Sequence, residues 1–485
     1  MSTRPAASFA MRETSNELWG EIFALLDQDE LLAVQATSRL FRQLARPLVF
    51  AMFDFKPYGF QYDTDDLYLF VNEYLDFEIQ RLDHYSSADV APLVRECILC
   101  PWRPSNYRDD SNYVVAEEPF VLLNTFFERI ELFSRLHSLT LSEISLTGSA
   151  MAGIFHLPRL RSLSLEDLPE ITRLNDFLVA PGQRSTLEYL DIGWNFVDES
   201  KVQDMLLPWI PFFNPETLRT LDLGCTLPFW TVYPKKIPIF PLLTSLYLRF
   251  SRDDINESYR VVLAKLPALQ RLEITGSGSL DEFIAGGPVV LPALEYLKSL
   301  PILFTVFVPH SPRLNSLASL WGSTNDLRLL RETPLPNVVS LHLEVSREPT
   351  VETLQLISAI FPRLEKLWLG IEEITGVYDV DIPLLNELSE YAAQRPVPLP
   401  QTLRALLVTL RCDESRHHSE INFIGLRESL SASLPALASL WIGGSTFLFK
   451  WRRGVNVPHA VDTEVILETR GAFQAAHGDL ADSDS

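Results

Sequence analysis

Leu266-Pro267-Ala268-Leu269-Gln270-Arg271-Leu272-Glu273-Ile274 is one copy of a pattern that returns along most of this 485-residue chain. LPRLRSLSL (157–165), LPNVVSLHL (335–343), FPRLEKLWL (361–369) and LPALASLWI (434–442) repeat it. Each has a proline, an apolar residue two positions later, and apolar residues three and five positions beyond that. Looser copies run at 135–141, 186–192, 217–223, 241–248 and 402–408, and degenerate ones at 292–300 and 311–320. The first apolar residues, from Leu136, Leu160, Leu187 and Leu218 on to Leu403 and Leu437, mostly stand about 25 residues apart.

Two apolar residues with a variable one between them predict a short strand, because successive strand side chains face opposite ways. Between copies, Tyr259, Val262, Leu263 and Leu266 recur at helical spacing, as do Val202, Met205, Leu206 and Trp209. Strand then helix, repeated, predicts an α/β solenoid with a curved parallel sheet inside and helices outside. The prolines agree: Pro158, Pro241, Pro267, Pro336, Pro362 and Pro435 all stand two residues ahead of the first apolar position. A proline there stops the outgoing helix and turns the chain extended. Pro92 has the same phase relative to Val94, Cys97 and Leu99, so the array is expected to span 92–455.

In this spacing the chain resembles leucine-rich-repeat proteins. The resemblance implies a small polar residue in the turn after each strand; Asn195 matches it strictly, and Thr226, Ser251, Ser277, Ser346 and Ser445 loosely.

Residues 13–50 do not fit the repeat. Thr14 and Glu17 form a predicted capping box, and Leu18, Ile22, Leu25 and Leu26 follow at helical spacing. Asp27-Gln28-Asp29 breaks that helix and offers a new cap. A second helix carries Leu31, Leu32 and Val34, and a third carries Leu40, Phe41, Leu44 and Leu48. Three short helices bury too little surface to stand alone, so a partner is implied. The run from Ser15 to Phe50 resembles an F-box, with Ser15-Asn16 where that family has Leu-Pro. The resemblance implies docking on a Skp-type adaptor, and through it a cullin-RING ubiquitin ligase, by Leu18, Ile22, Leu25, Leu26, Leu31, Leu32, Val34, Leu40 and Phe41. The chain order is similar to that of fungal F-box proteins with leucine-rich repeats. A second reading makes 13–50 a helical cap on the first repeat. The remaining divisions are a flexible N-terminus (1–12), a transition segment rich in Asp and Tyr (51–91), and a C-terminal cap and disordered tail (456–485).

Asp and Glu outnumber Lys and Arg 63 to 41, a formal charge of −22, which disfavours nucleic acid and anionic membrane surfaces as partners. No signal peptide and no membrane-length apolar run is expected, so a cytoplasmic or nuclear location is predicted. Cys97, Cys100, Cys225 and Cys412 are too few for a disulfide framework. Cys97 and Cys100 lack the second pair that zinc would need, and read as core thiols. Cys412, Asp413, His417, His418 and Glu420 are zinc-capable residue types, but they fall in a long gap of the repeat and read as a surface loop. The glycines at 276–279 lack phosphate-loop spacing. The sequence therefore predicts no enzyme, cofactor or metal.

Function on such an array is expected on the sheet, in the variable residue between the fourth and sixth positions, with the third position adding Tyr189. Tyr189, Asp191, Asp222, Tyr247, Glu273, His342, Trp368 and Trp441 are the predicted contacts for a protein substrate. Trp368, Trp441 and Tyr247 are the expected anchors if solvent reaches them, and a covered structural layer if loops or the C-terminal segment fold over them. The acidic members suggest a basic patch on that substrate. The predicted function is substrate recognition for a ubiquitin ligase; the alternative is an interaction scaffold with no ubiquitin role.

Overall fold

A computed structural model describes residues 16–61, 66–69, 72–102, 114–115, 120–166, 171–172, 177, 183–193, 207–224, 238–250, 257–276, 281–322, 324–345, 351–372, 391, 395, 397–411, 423–443 and 448–453. The chain divides into two compact units, Met1–Leu218 and Arg219–Ser485.

The first unit opens with helices α1 (Asn16–Phe23), α2 (Gln28–Thr37) and α3 (Arg39–Val49). Asp27 caps α2. Its carboxylate accepts from the Glu30 backbone N–H at 2.8 Å, and the Glu30 carboxylate accepts from the Asp27 N–H at 3.1 Å. Such reciprocal capping stabilises a short helix by about 1 kcal/mol. Ser38 caps α3 by accepting from the Phe41 N–H at 3.1 Å. The cap expected at Thr14 lies outside the described residues. Phe23, Leu31, Ala45 and Val49 form the helical core, with Trp19, Leu26, Val34, Phe41 and Leu44 packed against it.

Five parallel strands follow: β1 (Met52–Phe55), β2 (Glu96–Leu99), β3 (Ser138–Ser142), β4 (Ser162–Glu166) and β5 (Tyr189–Ile192), each paired with the next. The sheet thus begins well ahead of residue 92, inside the segment expected to be a transition. In β1, Phe53 and Phe55 take the two inward positions that leucines occupy elsewhere and are fully buried. Phe53 stacks on Tyr85 at 4.2 Å, within helix α4 (Asn72–Tyr85). Helices α5 (Val121–Arg129) and α6 (Gly148–His156) connect later strands.

The second unit holds β6 (Thr220–Leu223), β7 (Ser245–Phe250), β8 (Arg271–Gly276), β9 (Tyr296–Lys298), β10 (Ser316–Gly322), β11 (Ser340–Val345), β12 (Lys366–Glu372), β13 (Ala405–Arg411) and β14 (Ser439–Gly443), again parallel to their neighbours. A last strand, β15 (Leu448–Arg452), pairs antiparallel with β14 and covers that edge. Helices α7 (Glu257–Leu263), α8 (Asp281–Ala285), α9 (Pro301–Phe307), α10 (Thr324–Leu330), α11 (Val351–Ile360) and α12 (Phe423–Ser433) join successive strands.

The repeat's apolar positions form the core: Leu269, Leu272 and Ile274 are buried, as are Leu364, Leu367 and Leu369. Tyr259, Val262, Leu263 and Leu266 are buried too, as their helical spacing predicts. Each proline occupies the second place of a tight turn, closed for example by Leu269 N–H to Leu266 C=O at 3.2 Å and Leu437 N–H to Leu434 C=O at 3.0 Å. Proline's fixed φ suits that place and spares a donor the turn does not use. Residues 195, 226, 251, 277, 346 and 445, the turn polar positions, lie outside the described residues, as do Val202, Met205 and Leu206.

Candidate protein-docking surfaces

The nine apolar residues singled out in α1–α3 divide into two groups. Leu31 is buried, and Leu26, Val34 and Phe41 are packed against it, so these four hold the helices together. Trp19, Phe23 and Phe41 complete that core with ring centres 4.9 to 5.7 Å apart. Leu18, Ile22, Leu25, Leu32 and Leu40 are exposed, Leu25 to 87%. Leu18 and Ile22 stand one helical turn apart on α1, and Leu25 lies in the turn that follows it. Five large exposed apolar side chains within 23 positions are a concentration that water penalises, at about 25 cal/mol per Å² left uncovered.

On the sheets, the variable residues of successive strands align in register. In the first unit the column is Asp54, Ile98, Thr140, Ser164 and Asp191. Asp191 is half-buried and accepts a 2.6 Å hydrogen bond from Ser164 Oγ; Tyr189, also half-buried, lies two residues before it in the same strand.

In the second unit the column runs Asp222, Tyr247, Glu273, Lys298, Ala318, His342, Trp368, Leu407, Trp441 and Lys450. Asp222 and Tyr247 are half-buried. Arg271 Nη2 meets Glu273 Oε1 at 2.5 Å, and Lys298 Nζ meets Glu273 Oε2 at 3.4 Å. The Arg271 guanidinium also lies over the Tyr296 ring at 4.3 Å and near that of Tyr247 at 5.5 Å. Burial pulls the Arg271 pKa down, but Glu273, with Tyr296 and Tyr247, outweighs it and the net shift is upward. The Tyr247 hydroxyl is raised, chiefly by burial, with Arg271 opposing.

Of the three expected aromatic anchors, Tyr247 is half-buried and the two tryptophans are not open to solvent. Trp368 is 3% and Trp441 2% exposed, and both join Ala405 and Leu407 in one buried cluster. Trp368 Nε1 donates to Thr409 Oγ1 at 3.0 Å, Trp441 Nε1 donates to Ser439 Oγ at 2.9 Å, and Lys450 Nζ sits 3.9 Å over the Trp441 ring. His342 and Glu273 are buried as well. The reason is lateral packing: side chains in register on strands about 4.8 Å apart stack on each other. Glu273 is therefore a neutralised member of an ion network. It does not serve as an acidic lure for a basic partner.

No family model matches this chain, and neither does any curated protein. Among solved structures, the yeast Rad7 and Elc1 complex aligns with 86% of this chain and 93% of its own, at 13% identity and a TM-score of 0.33. A TM-score of that size carries no argument about either fold or function.

Cys97 is buried within β2 and burial pushes its thiol pKa up, while Cys100 is half-buried, its thiol 3.9 Å from Asp54 Oδ1. The pair thus divides between core and surface. Among the described residues no group of three or more His, Cys, Asp and Glu side chains is placed to hold a metal ion. Residues 412–420, with the zinc-capable types, lie outside them. No helix among the described residues is long and apolar enough to cross a membrane.

Proposed function

We propose that this chain is a non-catalytic substrate receptor, in which α1–α3 act as an F-box docked on a Skp-type adaptor of a cullin-RING ubiquitin ligase. The sheet-bearing remainder is then a leucine-rich-repeat solenoid that holds a protein substrate. The observation that carries this reading is the division of labour in α1–α3. The helices have a complete core of their own in Phe23, Leu31, Ala45 and Val49, yet present Leu18, Ile22, Leu25, Leu32 and Leu40 outward. A plain cap would spend its apolar side chains on the sheet it covers. Here α3 meets the rest of the unit through other groups: Phe50 against His84 and Tyr85 at 5.5 and 5.8 Å, and Arg46 donating to the Asp89 carbonyl at 3.4 Å.

Substrate contacts fall to the half-buried part of the variable face, Tyr189 and Asp191 in the first unit and Asp222 and Tyr247 in the second. Co-purification of a Skp-type adaptor with the full chain tests the docking half of the proposal. The wild type retains adaptor, and the Leu25→Asp/Leu32→Asp variant loses it while keeping its thermal unfolding midpoint. Adaptor retained by that variant, or never bound by the wild type, would leave an interaction scaffold instead.

A further inference from the structure

A cavity of about 620 Å³ in the first unit is lined by Arg95, Arg135, His137, Arg159, Arg161 and Glu188. It gathers four arginines in a chain whose acidic residues outnumber its basic ones by 63 to 41. Four arginines against one glutamate give it a formal charge of +3, leaving His137 out of the count.

Backbone register fixes the arrangement. The His137 and Ser138 N–H groups both donate to the Arg95 carbonyl, those of Arg161 and Ser162 to His137, and those of Glu188 and Tyr189 to Arg161, all at 2.8 to 3.1 Å. Arg95, His137, Arg161 and Glu188 therefore form a row at the start of successive strands, the three basic residues spanning roughly 10 Å. Arg135 and Arg159, two residues earlier in their strands' approaches, form a second row. Arg161 pairs with Glu188 at 3.4 Å, both ends well exposed. Among the described residues, Arg95, Arg135 and Arg159 make no ion pair.

We infer that this cavity binds an acidic, extended peptide segment of a protein partner. Guanidinium groups favour carboxylate and phosphate oxygens alike. Their spread in two rows suits charges distributed along a chain, whereas a compact phosphate needs donors converging on one point. An extended peptide carries alternate side chains roughly 7 Å apart, so two carboxylates fit along a row of this length. Glu188 ends the footprint by repulsion and competes with the peptide for Arg161. The inference stands whether or not α1–α3 dock an adaptor, because the cavity lies in the strand-bearing part of the unit.

Fluorescence anisotropy on the full chain, with a fluorescein-labelled peptide of alternating glutamate and glycine, tests it. The Arg135→Glu/Arg159→Glu variant is expected to bind at least about tenfold more weakly, and Glu188→Gln about threefold more tightly. Arg363→Glu, an exposed arginine of the second unit, is expected to change nothing. All four are surface positions, and matched unfolding midpoints verify folding. Equal weakening by Arg363→Glu would reduce the effect to the general field, and no tightening by Glu188→Gln would remove the competition. Tripolyphosphate binding that depends on Arg135 and Arg159, with no peptide binding, would make this a compact-anion site and overturn the inference.

Discussion

The imidazole of His342 lies flat on the indole of Trp368, with ring centres 4.0 Å apart and planes 6° from parallel. Both residues occupy the variable column of the second unit, His342 registered against Trp368 across β11 and β12. A cross-strand pair buried this way is internal structure, even though it sits on the face where a ligand would be sought. Trp368→Ala is therefore expected to lower stability by about 3–5 kcal/mol, as large-to-small core changes do. Trp368→Phe keeps most of the packing and gives up the bond to Thr409, at about 1 kcal/mol. Urea unfolding monitored by circular dichroism reads both; an alanine variant with an unchanged midpoint would mean the indole is a surface anchor after all.

Glu273 holds Arg271 on one oxygen and Lys298 on the other. Removing the carboxylate leaves two cations facing each other under cover, so Glu273→Gln is expected to cost about 3 kcal/mol. Lys298→Met costs less, because Arg271 still satisfies Glu273. In the double variant the losses are not additive, with a coupling of at least about 1 kcal/mol by double-mutant cycle. Additive losses would show that the three groups do not form a unit.

The strands were legible because a period-two apolar pattern set off by proline has few other physical readings, and Leu272, Ile274, Leu367 and Leu369 all face inward as it requires. The first strand was missed because Phe53 and Phe55 do the work of leucine there and no proline precedes them in phase. Side-chain direction in the variable column was also readable, but its solvent exposure was not. Exposure depends on what the neighbouring strands carry, and those neighbours lie some 25 to 40 residues away in sequence. The basic cavity has no local sequence pattern for the same reason: Arg95, His137 and Arg161 become a row only once β2, β3 and β4 are side by side. Its only sequence signal is the charge at the second repeat position, where Arg95, His137 and Arg161 stand.

Glu78 in α4 gives the first unit a pH dependence. One carboxylate oxygen takes the Arg81 guanidinium at 2.7 Å; the other is buried and has no hydrogen-bond partner among the described residues. Burial raises its pKa above the ordinary 4.5, with Arg81 opposing. An unfolded chain loses this proton near 4.5, whereas the folded one keeps it to higher pH. Between those values the native state binds more protons, so this group's effect on stability worsens as pH rises. Glu78→Gln removes the titration. The unfolding midpoint of the variant relative to wild type is expected to rise from pH 4.5 upward and level off above the raised pKa. A difference that is flat with pH, or that grows on acidification, would show that ion pairing with Arg81 outweighs burial.

Leu25, in the turn after α1, and Leu31, in α2, lie six residues apart and are predicted to fail in opposite ways. Leu31 is buried among Phe23, Ala45 and Val49, and Leu31→Ala is expected to cost about 2–4 kcal/mol and melt α1–α3. Adaptor binding is then lost together with helix content. Leu25 is the most exposed large apolar side chain of the set, so Leu25→Asp leaves the helices intact and removes only what a partner would cover. A central apolar contact contributes about 2 kcal/mol or more to an interface, a loss of about 30-fold in affinity. Calorimetric titration of purified adaptor into each variant, with circular dichroism on the same samples, separates the two effects. Helices that melt in the Leu25 variant, or binding that survives in it, would place the docking face elsewhere.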